Sequence, residues 1–450
     1  MTTRAEDAAR FRQAVSANPT DRIAWHNLAS AEGDIGRSAE AEAAARRAIA
    51  LGIKAPETRL VLGRALQHLR RYEEAERAFA EAIALRPHYA DAHRDLAQLV
   101  WMRSADAKAA LERLDAAVRA FPAEAGLHHA RSVVLEFSGD RSAALAAAAQ
   151  GLQHAASDVA LLRQAAHLHL EVGNVERSLE YAQKAASLAP GSGAEASVCE
   201  AFLAAGRARE AASLAAFLCG TRPHDQYLVA LQSTAWRLAN DPRYAELNDY
   251  ARFVQPQLLD VPEGWATREA FLADLAADLE ALHGFQAHPL QQSVRGGSQV
   301  HLQEAELRRA PIAALFRSIV SAVQRYLAHV GAGDGPLPSR HTGRFGFSGA
   351  WSVRLRSGGH HADHVHPHGW ISSACHVALP PTVGQGGRDR AGWLRLGKPA
   401  FPTRPALEAD HYVKPEPGML VLFPAYVWHG VEPFESEQPR LTVAFDVVPA

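Results

Sequence analysis

Through the first half of the chain, apolar positions recur at three- and four-residue spacing, the period of helices that bury one face. Turn residues interrupt this pattern at regular intervals. Pro19, Pro87, Pro122, Pro190 and Pro223 stand 68, 35, 68 and 33 residues apart, multiples of a unit near 34. Gly36, Gly139, Gly173 and Gly206 follow at separations of 103, 34 and 33, each trailed by Arg, Asp or Asn. Such a period predicts stacked helix pairs, with each glycine at a helix-to-helix turn. The repeat fades from about Tyr227, and an irregular junction follows at Asp241-Pro242-Arg243, Val254-Gln255-Pro256 and Val261-Pro262-Glu263-Gly264. Two helical stretches, 268–283 and 310–329, precede a change to strand character. Trp351–Leu355, Ile371–Leu379, Trp393–Leu396, Met419–Phe423 and Leu441–Val448 read as strands, separated at Gly358-Gly359, Pro380-Pro381, Gly386-Gly387 and Pro417-Gly418. The expected architecture is a multidomain α+β chain. Residues 1–240 form an α-solenoid, 241–284 a helical junction, and 285–450 an antiparallel barrel or jelly roll with supporting helices.

The composition fits this picture, with 48% apolar and 21% charged residues, which excludes a disordered or collagen-like chain. A net charge of −2 provides no field to attract a nucleic-acid backbone or an anionic membrane, so the expected partner is a peptide, protein or small molecule. Three scattered cysteines, Cys199, Cys219 and Cys375, make no disulfide framework. Met1 to Gln13 is polar and no run of 18 apolar residues occurs, so a cytoplasmic protein is expected. Only five of the 47 basic residues are lysines and alanine is abundant, the usage of a GC-rich bacterial genome.

Leu62, Gly63, Leu66, Ala75, Phe79, Ala82 and Pro87 stand at the offsets of a tetratricopeptide repeat, which this segment resembles. Leu96, Ala97, Ala110, Leu114, Ala117 and Pro122 outline a second unit, and Trp25, Leu28, Ala29, Ala41 and Ala48 an earlier one. The resemblance implies a superhelix whose concave groove holds a peptide, although such an array also serves as a dimerisation surface. The paired histidines His128-His129 and His167 with His169 are expected to be structural.

Candidate chemistry lies further on. Six of the 23 histidines fall between positions 360 and 376. In an extended chain residues i and i+2 point the same way, so His364 and His366 can present two imidazoles together. A third is available from His429, which follows an apolar strand, and Arg440 and Thr442 come shortly after it. This layout resembles an iron(II)- and 2-oxoglutarate-dependent oxygenase over about 285–450. Gly358 to Ser373, Gly418 to Pro424 and Gln292 to Gln299 look like a bacterial His-x-His-Pro branch often fused to tetratricopeptide repeats.

The resemblance implies a double-stranded β-helix that uses Fe(II), 2-oxoglutarate and O2 to hydroxylate a side chain of a peptide or protein, releasing succinate and CO2. Three facial ligands leave iron positions for keto-acid and oxygen. By resemblance Arg440 binds the far carboxylate of the keto-acid, Thr442 assists it, and His376 stands where the family often has a keto-acid-contacting tyrosine. Two ligand sets remain open. His364, His366 and His429 match the branch and are preferred, while His361, Asp363 and His429 restore the usual histidine-x-aspartate pattern. Trp351, Trp370 and Trp428 are expected in the core or at its rim, His360 and His368 as bystanders, and Cys375 as a buried strand residue. Two rival functions remain: a non-enzymatic scaffold with a degenerate or metal-sensing barrel, and a three-histidine cupin-type dioxygenase that needs no keto-acid.

Overall fold

Paired antiparallel helices run from Arg4–Ala17, Arg22–Asp34 and Ser38–Ala50 to Ala125–Phe137 and Arg141–His154 in the computed structural model, which describes residues 4–383 and 390–450. Asp21, Asp106 and Asp140 cap helix N-termini by accepting bonds from backbone N–H groups that have no intrahelical partner. Gly36, Gly139, Gly173 and Gly206 all hold positive φ at the turns, as the sequence spacing predicts. Within Pro56–His68 a Cβ on Gly63 would lie 2.4 Å from the Phe79 ring, so the glycine is what lets the paired helix Tyr72–Leu85 seat its phenylalanine. Residues 1–161 make one compact unit and 162–450 another.

In the second unit the helix pattern continues through Val175–Leu188, Ala194–Ala204, Ala208–Thr221 and Gln226–Leu238. The last helix extends beyond the point where the sequence repeat fades. Its apolar face meets Val365, Phe401 and Trp428 of the sheet domain.

Among the described residues nine strands follow: β1 (Gln255–Leu258), β2 (Val294–His301), β3 (Phe345–His364), β4 (Ile371–Ala378), β5 (Leu394–Leu396), β6 (His411–Val413), β7 (Met419–Pro424), β8 (His429–Val431) and β9 (Arg440–Pro449). They form one antiparallel, nearly barrel-shaped sheet in the order β1-β7-β4-β9-β3-β8-β5-β6, with β2 on β3, consistent with a double-stranded β-helix. Helices Arg268–Glu280 and Ala310–Val330 cover one face and bury Phe271, Leu275, Ile319 and Val323 against Cys375, Leu422, Val443 and Phe445. Among the described residues no helix is long and apolar enough to cross a membrane.

Contrary to the expectation from sequence, Gly358-Gly359 does not end a strand. β3 runs through it and exchanges partners, pairing with β9 up to Leu355 and with β8 from His361. A Cβ on Gly359 would meet Arg356 O and Gly296 O at 2.7 and 2.8 Å, so only glycine passes this crossing. The Gly386-Gly387 separator lies outside the described residues.

His283 joins β2 to β3, with Nδ1 2.8 Å from Ser298 Oγ and Nε2 2.9 Å from Ser352 Oγ. Burial, aided by Arg354 and Arg356, pushes its pKa down to about 4. The unfolded chain takes up this proton near the ordinary value of about 6.5, so stability is full above that pH and falls as pH drops toward 4, by up to roughly 3 kcal/mol. Urea unfolding of the wild type at pH 7 and pH 4.5 should show this loss, and His283→Gln should reduce it. An identical pH difference in the variant would refute the assignment.

Candidate metal centre and keto-acid pocket

The glycine crossing in β3 places His364 directly opposite His429 at the start of β8. Their ring centroids are 4.1 Å apart. His366, two residues beyond, is held by its backbone N–H donating to Ala425 O at 3.1 Å, and its ring lies 5.1 and 5.2 Å from those of His364 and His429. One ring nitrogen from each of the three falls within 4.8 Å of the others.

Hydrogen bonds fix which nitrogen is free. His364 Nδ1 lies 2.9 Å from Ala362 O, and His429 Nδ1 lies 3.0 Å from Val427 O. A carbonyl can only accept, so Nδ1 carries the proton and Nε2 keeps its lone pair. His366 Nδ1 lies 2.7 Å from the Asp446 carboxylate, which can only accept, so Nδ1 carries a proton there too. Burial pushes the His364 pKa down to about 3 and moves His429 well below the ordinary histidine value. Three imidazoles whose Nδ1 atoms are engaged in hydrogen bonds can offer Nε2 as a donor set suited to a divalent transition metal.

The residues between the histidines act as anchors. Val365 packs in an apolar cluster with Leu228, Leu231 and Trp428. Trp428 Nε1 donates to Thr234 Oγ1 at 2.9 Å, and Gln226 N donates to Pro367 O at 3.0 Å. Both histidine-bearing segments are therefore pinned to the helix Gln226–Leu238. Trp351 stacks on His366 at 5.6 Å and 13°. Trp370 is buried and donates to Leu337 O.

These groups open on a cavity of about 400 Å³. On β9 the alternation is complete: Leu441, Val443, Phe445 and Val447 enter the core, while Arg440, Thr442, Ala444 and Asp446 line the cavity. Arg440 is 1% exposed and has no carboxylate partner among the described residues. Its Nη2 lies 3.2 Å from His376 Nδ1, while Nε, Nη1 and His376 Nε2 are buried without partners. Burial lowers the Arg440 pKa to about 10. A buried cation with free donors facing a cavity calls for an anion, which fits the terminal carboxylate of a keto-acid.

Not every histidine of the cluster joins the group. His361 lines the cavity with Nδ1 3.1 Å from Ser293 Oγ, but it lies outside the group of three. Asp363 faces away from the cavity into a two-pronged pair with Arg395 at 2.8 and 2.9 Å, and Arg395 also meets Glu432 at 3.0 Å. His368 is exposed at the rim and His360 lies outside the lining. Cys375 is fully buried on β4. The sequence reading missed Asp446 and Arg395. Period-2 alternation counted onward from Arg440 and Thr442 would have found Asp446; Arg395 offers no such signal.

Residues 349–446 match the family model described as "Putative 2OG-Fe(II) oxygenase", and residues 56–89 match the tetratricopeptide repeat. Among solved structures, the chain is similar to YrrB, a TPR protein with an unusual peptide-binding site, at 21% identity over 42% of this chain and 96% of that one, with a TM-score of 0.26. A thermophilic TPR protein of Thermus thermophilus is similar at 23% identity over 40% of this chain and 99% of that one, with a TM-score of 0.33. PilF of Pseudomonas aeruginosa is similar at 15% identity over 45% and 92%, with a TM-score of 0.34. No curated protein matches the chain.

Proposed function

We propose that this protein, which carries tetratricopeptide repeats and a 2-oxoglutarate/iron(II) oxygenase-family domain, is a dioxygenase that hydroxylates a side chain of a peptide or protein recruited by the repeats. The balanced reaction takes one substrate C–H bond, 2-oxoglutarate and O2 to C–OH, succinate and CO2. The observation that carries this reading is the meeting, in one cavity, of three imidazoles with a buried guanidinium that has no carboxylate partner among the described residues. That guanidinium supports a carboxylate-bearing cosubstrate bound beside the metal, which 2-oxoglutarate supplies.

Each residue then has a role in the proposal. His364, His366 and His429 hold iron(II), and their Nδ1 hydrogen bonds fix the ring orientations. Arg440 binds the far carboxylate of 2-oxoglutarate, Thr442 adds a neutral hydrogen bond, and His376 orients the guanidinium. Val353, Leu394 and Val431 give the cavity an apolar wall that limits water. The bound cofactors supply the oxidising chemistry, and the protein positions the C–H bond.

The first test is anaerobic titration of the apoprotein with iron(II) and then 2-oxoglutarate, monitoring the visible charge-transfer absorbance of an iron–keto-acid complex. Its appearance supports the reading. Iron uptake without the band would favour a three-histidine dioxygenase or a sensor, and failure to bind iron would leave a scaffold.

A further inference from the structure

We propose that Asp446 is a positioning residue for the metal: through His366 it lends the three-imidazole group the negative charge that a ligating carboxylate would otherwise bring. The inference rests on the reading of His364, His366 and His429 as ligands.

The three imidazoles differ in one respect. His364 and His429 donate from Nδ1 to neutral backbone carbonyls, whereas His366 donates to a carboxylate, at the shortest of the three distances, 2.7 Å. No Arg or Lys among the described residues pairs with Asp446. Its other bond comes from the Ser372 hydroxyl at 3.3 Å, so the imidazole is its principal partner. Both side chains are 14% exposed, which limits screening by water. Trp351, stacked on the face of His366, and Asp446, bonded at its edge, hold the ring in position.

The chemistry follows from this placement. A carboxylate on Nδ1–H draws the proton toward itself and makes Nε2 a stronger donor, which increases metal affinity. Three neutral imidazoles alone would leave the full charge of a divalent ion in a buried site, and an anion one hydrogen bond away offsets part of it. His366 is also the position at which the usual pattern has a carboxylate ligand. The charge is thus kept but moved one bond outward, onto the next strand.

The test uses the full chain and cobalt(II) alone, reading the dissociation constant by chelator competition and the d–d spectrum of the bound ion. Asp446→Ala is expected to weaken binding by about 10- to 100-fold. Asp446→Asn, which keeps an acceptor oxygen without the charge, is expected to lie between it and the wild type. Both should shift the cobalt spectrum, whereas Ser372→Ala should leave it in place. Wild-type affinity and spectrum in both Asp446 variants would overturn the proposal while leaving the ligand reading intact. An Asn variant identical to wild type beside a weakened Ala variant would overturn the charge role. If the Ala variant does not fold, the isosteric Asn variant decides. Failure of the wild type to take up cobalt would overturn the ligand reading itself.

Discussion

Arg440→Met is expected to raise the dissociation constant for 2-oxoglutarate by roughly 100-fold or more, since charge-assisted bonds contribute about 1.5–3 kcal/mol each and 1.4 kcal/mol is tenfold. Binding of the metal alone should change little, because Arg440 is not among the three converging imidazoles. Stability provides a second readout with a distinctive sign. Without ligand, Arg440 is a fully buried cation with two donor atoms unpaired, an arrangement that costs stability. The ligand-free methionine variant should therefore unfold at the wild-type temperature or above. In the presence of metal, keto-acid at 100 times its dissociation constant should stabilise the wild type by roughly 2.7 kcal/mol and the variant hardly at all. Equal keto-acid-induced shifts in the two proteins would remove Arg440 from the pocket's function.

The second large effect concerns the histidines. His364→Ala, His366→Ala and His429→Ala should each weaken iron(II) or cobalt(II) binding by more than about 100-fold, beyond the 10- to 100-fold typical of losing an outer partner. Asp363→Ala is the discriminating control. Its carboxylate is held by Arg395, so the variant should keep its metal while losing up to roughly 3 kcal/mol of stability from the broken pair. Glu432 remains on Arg395 and limits that loss. Metal loss from Asp363→Ala with a harmless His366→Ala would instead favour His361, Asp363 and His429. Isothermal titration under anaerobic conditions reads both outcomes.

Much of the fold is legible in the chain because it rests on local rules. The turn glycines at 36, 139, 173 and 206 have positive φ, a backbone requirement that leaves its mark residue by residue. Gly63 and Phe79 are one contact written at a fixed spacing. The helices at 268–280 and 310–330 follow from apolar periodicity, and strands β4, β5, β7 and β9 from short apolar or alternating runs between turn residues. Strands β1, β6 and β8 escaped because their four, three and three residues carry no apolar alternation, and the eight-residue β2 escaped because its polar, glycine-containing sequence is interrupted by a bulge at Arg295/Gly297. The break expected at Gly358-Gly359 is instead a change of partner within one strand, since a glycine pair marks a special backbone path without saying whether the strand ends there.

Local patterns in the chain point to helical repeats followed by a barrel-like sheet and to the residues of the candidate site: His364, His366 and His429, with Arg440 and Thr442 beyond. Periodicity and short motifs are carried by neighbours in the chain. Only the tertiary structure decided that Asp363 turns to Arg395 while Asp446, 80 residues from His366, takes the edge of its ring. It alone attached Val365 and Trp428 to the helix Gln226–Leu238. Those outcomes depend on which strands cross and which buried charges find partners, and such long-range pairings are set by the whole barrel closing, not by any local pattern.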